Sequence, residues 1–397
     1  MTAEQKLFLH LLADHAQGTV SAQLPASPDW DALYEIADKQ AISGVIYAQL
    51  KAMADCGASV PVEVLRRFHE AFYSDVYYAA NREAILHDVL QAHTSSGVRA
   101  IPFKGWLLKD YWPAPELRQM GDIDLIISPE DRQKSDDVMM VLGYHRMVDN
   151  HAVWTYYERD LEFEIHDHMF YEQLSNHVDY IGYFDNVWDY VDPDLDEGFH
   201  LLYTFAHMAK HITNKGIGFR AFLDLVFMCR CSESRIDWLW LQNELKKLQL
   251  YDFAVTCISL CNQWFGVTLP IPTPPVDSAF YEFTTAKVFS DGIFGLQNVQ
   301  NCASNAAKEI KRTSAPYWYG ALKLTVKNLF PAYRDMQLIS WYHFVDGRPW
   351  LLPAAWVYRW GYCLTHKREN SLAMLREPFE KRKTIEKRQK LIRDWGL

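Results

Sequence analysis

The chain has 397 residues, 49% hydrophobic and 23% charged, with a formal net charge of −10. This length suits two or three domains, and the composition is that of a globular protein with a large core, which excludes extensive disorder. The negative charge argues against a protein that coats nucleic acid nonspecifically. From Lys367 onward, however, ten Lys and Arg face five Asp and Glu. This basic tail predicts a solvated amphipathic helix, with binding of RNA or another anion as the alternative.

The sequence lacks the features of a secreted or membrane protein. No run of about 18 apolar residues appears, and the first residues, MTAEQKLFLHLLADHAQ, are too polar for a signal peptide. The seven cysteines include no C-x-x-C pair, which is typical of free thiols in a reducing compartment. We therefore predict a cytoplasmic protein without membrane insertion.

Residues 1–96 are predicted to form an N-terminal helical cap. Apolar residues recur at helical spacing in AEQKLFLHLLADHA, in DWDALYEIADKQAISGVIYAQLKAM and in VEVLRRFHEAFYSDVYYAANREAILHDVLQAH. Pro25, Pro28 and Pro61 lie between these segments, as is common between helices. No residue pattern in this region points to chemistry.

Residues 97–190 change periodicity and predict a compact mixed α/β unit. VRAIPF and DIDLII read as strands, with a helical turn or two at GWLLKDYW and a loop at PAPELRQMG between them. SPEDRQKSDDVMMVLGY predicts a helix with Ser128 as N-cap, Pro129 at its first position and Gly143 after its end. AVWTYYERDLEFEIHDHMF predicts two strands joined by a tight turn at residues 158–160.

Residues 191–397 are predicted to form a C-terminal helical domain that ends in the basic tail. Helical patterns begin at DPDLDEGFHLLYTFAHMAKHIT, and TLPIPTPP, with four prolines in eight residues, predicts a linker or surface loop. The predicted fold class is therefore α+β, a minimal mixed α/β unit flanked by N-terminal and C-terminal helical regions.

Two aspartates interrupt the apolar strand DIDLII. Strand side chains alternate between faces, so Asp122 and Asp124 point to the same side. Two like charges this close are unfavourable unless a cation lies between them, and Mg²⁺ takes carboxylate oxygens while keeping positions for phosphate. Because of this repulsion alone, we expect Asp124→Asn to leave thermal stability without Mg²⁺ unchanged or slightly raised.

Further polar residues could complete such a site. In LEFEIHDH, Glu162, Glu164 and His166 share one face of a strand that could pair beside DIDLII. In PFKGW, Gly105 begins a helix whose backbone N–H groups suit a phosphate, and Lys104 adds a positive charge. Arg118, on the loop before the aspartates, is placed to bind a triphosphate oxygen in bidentate fashion.

Together these motifs resemble those of the polymerase-β-type nucleotidyltransferases. IPFKGWLL, YWPAPELRQMGDIDLII and LEFEIHDH are similar to the K-G, R, D-I-D-L and E-x-H pattern of an uncharacterised bacterial nucleotidyltransferase family within that superfamily. The later segments FAHMAKHITNKGIGFRAFLDLVF and LFPAYRDM…WLLPAAWVYRW are similar to elements downstream of that family's catalytic unit. The resemblance runs through most of the chain and identifies residues 97–190 as the nucleotidyltransferase catalytic unit.

The resemblance implies a reaction. In such enzymes two aspartates and a third acidic residue hold two Mg²⁺ ions, and the α-phosphate of an NTP is attacked in line with loss of pyrophosphate. Asp122 and Asp124 would be the metal-binding pair, and Glu164 the third carboxylate, which could also accept the proton of the attacking hydroxyl. An NMP would pass from an NTP to a hydroxyl or phosphate of an unknown acceptor, which could be a small molecule, a protein or RNA.

The resemblance also implies residues that contact the nucleotide or line the cleft. These are Lys104, Gly105, Arg118, His166, His207, His211 and Asp224. His166 could instead orient Glu164 through a hydrogen bond. His207 and His211 have a spacing that can bind zinc, but Met208 stands where a zinc protease needs glutamate. Arg220 and Asp224 have the spacing of an ion pair within one helix.

Two alternatives stay open. A toxin-like transferase that adds nucleotides to tRNA shares the K-G, R and D-I-D motifs, and the basic tail favours it. A catalytically silent nucleotide-binding or scaffold protein is favoured by Trp106, because the superfamily commonly has Ser or Gly after the first glycine. The presence of both aspartates and of Glu164 argues against a silent protein.

Overall fold

The computed structural model describes residues 1–21, 23–149, 153–158, 161–175, 177–214, 216–292, 317–333, 336, 344–345, 347–366 and 382–397. The chain divides into two compact units, the first of residues 1–211, 216–295 and 396–397 and the second of residues 212–215 and 296–395. The three-part division predicted at residues 96 and 190 stays a prediction.

The first unit begins with the helices α1 (Ala3–Gln17), α2 (Trp30–Lys39), α3 (Ser43–Asp55) and α4 (Val62–Ser95). Local sequence explains the ends of α1. The Thr2 hydroxyl accepts a hydrogen bond from the Gln5 N–H at 3.2 Å while the Gln5 side chain accepts from the Thr2 N–H at 3.0 Å, a reciprocal cap. Gly18 follows α1 with a φ of 71°, a conformation that glycine adopts without strain. The predicted helical start of the chain is confirmed.

A five-stranded mixed sheet follows, formed by β1 (Ala100–Pro102), β2 (Ile123–Ile127), β3 (His145–Asp149), β4 (Val153–Glu158) and β5 (Leu161–His166). The strand order is β1-β2-β5-β4-β3. The pair β2–β5 is parallel and the other pairs are antiparallel. The parallel register places Asp124 opposite Glu164 and Ile126 opposite His166. The predicted pairing of LEFEIH beside DIDLII is thereby confirmed.

Two short helices, α5 (Gly105–Leu108) and α6 (Arg132–Val141), connect strands of this sheet. The predicted helix after β2 begins differently from the prediction: residues Pro129–Asp131 form a 3₁₀ turn before α6, and Ser128 makes no side-chain cap. β3 is absent from the sequence-based prediction. Its sequence HRMVD does not alternate strictly between apolar and polar residues, and it lies at an edge of the sheet.

One face of the sheet is buried against helices. Leu125 of β2 and Phe163 of β5 pack in a cluster with Leu86 and Val89 of α4 and with Met139 of α6. Each large apolar side chain buried in this way contributes about 1.5–3 kcal/mol relative to exposure. We call this the back face. The opposite front face carries the polar side chains of β2 and β5.

The first unit continues with α7 (Tyr180–Phe184), α8 (Glu197–Asn214, whose last residues belong to the second unit), α9 (Phe219–Cys231), α10 (Trp238–Lys247), α11 (Tyr251–Phe265) and α12 (Ser278–Asp291). Aromatic packing joins several of them. The Phe219 ring centroid lies 5.8 Å from that of Phe8 in α1, 4.8 Å from that of Phe289 in α12 and 5.2 Å from that of Trp264 in α11. The proline-rich segment between α11 and α12 contains no helix, as predicted. The fold is thus α+β, with helical regions flanking the sheet.

The second unit contains α13 (Tyr317–Leu329), α14 (Leu352–His366) and α15 (Arg382–Asp394), and Met336, Val345 and Ala355 form a small core there. α15 lies in the basic tail, whose residues 367–381 fall outside the described residues. Its Leu391 is buried while Lys390 is exposed, which confirms an amphipathic helix for this part of the tail. Among the helices that the structure describes, none combines the length and the apolar character that crossing a membrane requires.

A buried histidine predicts sensitivity to acid. His200 in α8 is 1% exposed, and neither ring nitrogen has a hydrogen-bond partner. Burial lowers the pKa of His200 from its usual 6.5 to about 4. The unfolded chain therefore binds a proton below pH 6.5 that the folded chain excludes until about pH 4, so stability is lost as the pH falls through this window. Between pH 7 and pH 5 this cost is about 2 kcal/mol.

We therefore expect His200→Leu to lose less unfolding free energy between pH 7 and pH 5 than the wild type, by about 2 kcal/mol. Urea unfolding at the two pH values measures the difference. His10, exposed on α1, provides the control, and His10→Leu should leave the pH dependence as it is. Equal losses in wild type and His200→Leu would contradict the prediction.

Candidate active site

A cluster of four polar side chains lies on the front face of the sheet. Asp124 of β2 and Glu164 and His166 of β5 offer ligand atoms that all lie within 4.8 Å of one another. The Nε2 of His166 is 2.9 Å from Oδ1 of Asp124 and 3.4 Å from Oε2 of Glu164. The fourth member, Lys104, comes from the turn between β1 and α5. The parallel pairing of β2 and β5 thus joins residues that are about 40 positions apart in the sequence.

Lys104 points its ammonium group into this cluster. Nζ lies 2.5 Å from Oδ1 of Asp124, 3.2 Å from Nε2 of His166 and 3.7 Å from Oε2 of Glu164. Its backbone has a φ of 52° and a ψ of −128°, a conformation that residues other than glycine avoid. Such strain costs of the order of 1–3 kcal/mol and persists where surrounding contacts impose it. Here the Phe103 N–H, one residue earlier, donates to the Asp124 carbonyl at 3.1 Å.

The two aspartates have different electrostatic environments. Asp124 is buried, and although burial raises the pKa of its carboxyl, the charge of Lys104 and the contact with His166 hold it well below its usual range. For Lys104, burial acts to lower the pKa of the ammonium, but the charge of Asp124 and of other acidic groups raises it well above its usual value. Asp122 lies just before β2 with its side chain exposed, and repulsion from the charge of Asp124 raises its pKa to about 7.

Arg118 lies outside the cluster and forms a buried ion pair with Asp224 of α9. Its Nε and Nη2 donate to the two carboxylate oxygens of Asp224 at 2.7 and 2.9 Å, and Trp112 Nε1 donates to the same carboxylate at 2.8 Å. Asp224 therefore pairs with Arg118, and the expected pair with Arg220 on its own helix does not form. The Arg118 guanidinium also packs against Gly105, because a Cβ on that glycine would lie 3.0 Å from Nη1.

The loop that leads to Asp122 is held by long side chains from two helices. Arg82 of α4 donates to the Met120 carbonyl at 2.8 Å, and Arg220 of α9 donates to the Gln119 carbonyl at 2.7 Å. The positive charges of both arginines act on the carboxylate of Asp122, and burial lowers the pKa of Arg220 to about 9. Arg82 is not among the residues that the sequence predicts for the site. Its only signal is its position within the face of α4 that packs on the rest of the unit.

α8 forms a wall beside the cluster through Tyr203 and His207. The Tyr203 ring lies 5.6 Å from that of Phe103 and is stacked on that of His207 at 5.6 Å. Nε2 of His207 and Nε2 of His211 are 2.9 Å apart. Burial, the neighbouring His211 and the charge of Lys104 lower the pKa of His207 well below its usual value. The structure thus places the two predicted histidines next to the cluster and outside it.

Comparison with known proteins adds a family. The family model described as "Uncharacterised nucleotidyltransferase" matches residues 26–266, more than half of the chain. The chain belongs to this family. Searches of the curated proteins and of the solved structures each gave no significant match. The match confirms the family indicated by the K-G, R, D-I-D-L and E-x-H motifs and includes all of the candidate site residues. The similarity noted in LFPAYRDM…WLLPAAWVYRW lies outside it.

The cluster suits the divalent cation that a nucleotidyltransferase uses. Among the described residues, Asp124, Glu164 and His166 are the group of three that could hold a metal ion. Two carboxylates and an imidazole suit Mg²⁺ and, because of the nitrogen, Mn²⁺. Nδ1 of His166 is buried without a partner, so the ring presents its other nitrogen to the carboxylates. Asp122, predicted as a member of the metal-binding pair, lies outside this group, one residue before β2.

Asparagine substitutions distinguish the two aspartates of the candidate site. Asp122→Asn removes a charge that Asp124 repels, so it should raise the melting temperature most at pH 8, where Asp122 is ionised in the folded protein. The gain should be smaller at pH 5, where Asp122 is protonated in the folded protein but ionised in the unfolded chain. Asp124→Asn leaves the buried Lys104 without its closest partner, so it should lower the melting temperature at both pH values. Pairing with Lys104 therefore reverses the expectation drawn from repulsion alone. Thermal melts in EDTA measure both effects, and equal shifts for the two variants would contradict the assignment.

The contact between Gly105 and Arg118 predicts a steric effect. Gly105→Ala places a methyl group 3.0 Å from a guanidinium that Asp224 holds in place, so we expect a loss of about 1–3 kcal/mol in unfolding free energy. Gly121→Ala is the matched control, because no heavy atom lies within 4 Å of its added Cβ. Urea unfolding of both variants tests the contact. If Gly105→Ala lowers the unfolding free energy no more than Gly121→Ala does, Arg118 can move away from residue 105 and the prediction is wrong.

Proposed function

We propose that the protein is a divalent-metal-dependent nucleotidyltransferase that transfers an NMP from an NTP to a hydroxyl or phosphate of an acceptor. The observation that carries this proposal is the in-register pairing of Asp124 and Glu164 on parallel strands, in a chain that belongs to a nucleotidyltransferase family. The K-G, D-I-D-L and E-x-H pattern supports placing this family in the polymerase-β-type superfamily.

In this proposal the buried carboxylate binds the cation, and the more exposed carboxylate accepts a proton. Asp124, whose side chain is 5% exposed, binds the buried side of the cation. Asp122, just before β2, also binds the cation once the carboxyl of Asp122 has lost its proton. Mg²⁺, with two ions implied by the resemblance, would polarise the α-phosphate and stabilise the charge that develops on it. The Glu164 side chain is 25% exposed, so it reaches the solvent side of the cluster, where it accepts the proton of the attacking hydroxyl.

Positive charge for the triphosphate comes from several elements. Lys104 and the first turn of α5 at Gly105 flank the carboxylates on one side, and Arg82 and Arg220 flank Asp122. Nε and Nη2 of Arg118 both donate to Asp224. Arg118 therefore acts as a positioning residue, which packs against Gly105.

The histidines have a separate part in the proposal. His207 and His211 line the wall formed by α8, where the low pKa of His207 keeps its ring neutral, and they contact the acceptor or the nucleotide. His166 contacts the cation or orients Glu164, which is 3.4 Å away.

An RNA acceptor is the second candidate. Lys390 and Arg393 are exposed on α15, in the basic tail, and a line of cationic side chains on a helix suits a polyanion. Transfer to tRNA by a toxin-like enzyme would use the same cluster with a different acceptor. A silent nucleotide-binding or scaffold protein would not need the cluster's two carboxylates in register.

Labelled nucleotides test the reaction. The protein is incubated with each α-³²P-labelled NTP, Mg²⁺ or Mn²⁺ and cell extract, and we expect label in one macromolecule or small molecule together with released pyrophosphate. Treating the product with ribonuclease or with protease separates an RNA acceptor from a protein acceptor. No incorporation from any of the four NTPs would favour the silent protein.

Neighbouring glutamates provide the matched variants. Glu164→Gln should reduce transfer on the order of 10²–10⁴-fold, because it removes both a charge and the proton acceptor. Glu162, two residues earlier on the same face of β5, accepts a hydrogen bond from the Tyr157 hydroxyl and is not one of the three residues that could hold a metal ion. Glu162→Gln should therefore keep activity within a few-fold of wild type. Initial rates of label incorporation measure both, and equal activity of the two variants would exclude the role of Glu164.

A further inference from the structure

The ammonium group of Lys104 occupies the space between the ligand atoms of the candidate metal site. Its nitrogen is 2.5 Å from Asp124, 3.2 Å from His166 and 3.7 Å from Glu164, the three residues that could hold a metal ion. The Lys104 side chain is only 11% exposed. A lysine at the edge of a phosphate site would extend toward solvent, whereas this one lies among the metal ligands.

We propose that Lys104 competes with the divalent cation for Asp124, Glu164 and His166, so that the protein binds metal tightly only together with a triphosphate that takes over the lysine. The inference rests on the proposed function, because it takes an NTP as the second ligand. The added point is that the metal ion enters the site as a metal–triphosphate complex and not as the free ion.

Charge balance supports the competition. Asp124 and Glu164 together carry two negative charges, and the ammonium of Lys104 already neutralises one of them. A divalent cation at the same carboxylates would face a like charge within a few ångströms in a mostly buried site, where repulsion is poorly screened. The cation can therefore bind only if the ammonium moves away, and a buried ammonium moves only to another anion.

A triphosphate supplies that anion. Lys104 directly precedes α5, at the corner where the proposed phosphate position lies, so a rotation of its side chain can exchange a carboxylate for a phosphate oxygen. The triphosphate then pairs with both the cation and the ammonium. Because coupling between two ligands is reciprocal, metal and triphosphate must each raise the affinity for the other.

The backbone of Lys104 gives a second reason to assign it this role. A φ of 52° is unfavourable for lysine and favourable for glycine. Glycine at this position would lack the contacts that the Lys104 side chain makes with the metal ligands Asp124, His166 and Glu164.

Binding of Mn²⁺ without turnover tests the inference. Isothermal titration of the chelator-treated full chain with Mn²⁺ alone should give at least 10-fold tighter binding for Lys104→Met than for wild type. Lys109→Met is the matched control, because Lys109 lies one turn later and pairs with Asp110, outside the cluster. This variant should bind Mn²⁺ as wild type does.

A second series of titrations measures the affinity for the Mn²⁺ complexes of the four α,β-methylene nucleoside triphosphates, which block NMP transfer. In wild type, one such complex should bind at least 10-fold more tightly than Mn²⁺, and this ratio should shrink at least 10-fold in Lys104→Met.

The outcomes separate this inference from the proposed function. Equal Mn²⁺ affinity of wild type and Lys104→Met, with binding measurable in the presence of an analogue, overturns the competition and leaves the nucleotidyltransferase proposal in place. Absence of Mn²⁺ binding in every variant, with and without analogues, overturns both. If Lys104→Met does not fold, Lys104→Gly gives the same comparison, since glycine adopts the backbone conformation of residue 104 without strain.

Discussion

The front face of the sheet depends on the ammonium group of Lys104, which is buried between the carboxylates of Asp124 and Glu164. Lys104 and Asp124 are both largely removed from solvent, and each makes the burial of the other tolerable. Removing one partner of a buried ion pair typically costs about 3–5 kcal/mol, because the other charge is left uncompensated. This pair fixes the end of β1 against β2 and holds Glu164 and His166 of β5 around one point. The rest of the site is arranged around that point.

Residue periodicity was sufficient to predict most of the local structure and one half of the site. The alternation in DIDLII and LEFEIH indicates which side chains share a face, and the parallel register then places Asp124 beside Glu164. Interactions between distant segments could not be read in the same way. The spacing of Arg220 and Asp224 favours a local pair, but Trp112 and Arg118 reach the same carboxylate from another segment. β3 is missed because an edge strand with one neighbour needs no apolar alternation.

α5 opens with Lys-Gly-Trp, and the structure shows what Gly105 and Trp106 contact. Gly105 leaves room for the guanidinium of Arg118. Trp106 packs against the apolar cluster of the sheet and lies 4.6 Å beneath the ammonium of Lys109. Packing therefore takes the place of a hydroxyl at residue 106, and the charged group two residues earlier, on Lys104, contacts Asp124.

α4 contacts both the back face of the sheet and the loop that carries Asp122. Its residues Leu86 and Val89 cover the back face, while Arg82, one turn earlier, donates to the loop that carries Asp122. A fragment that begins at residue 97 would therefore lose both the helix that covers its core and the arginine that holds the loop before Asp122. The same holds at the other end, where Asp224 lies beyond residue 190. A fragment that keeps these contacts runs at least from α4 to α9.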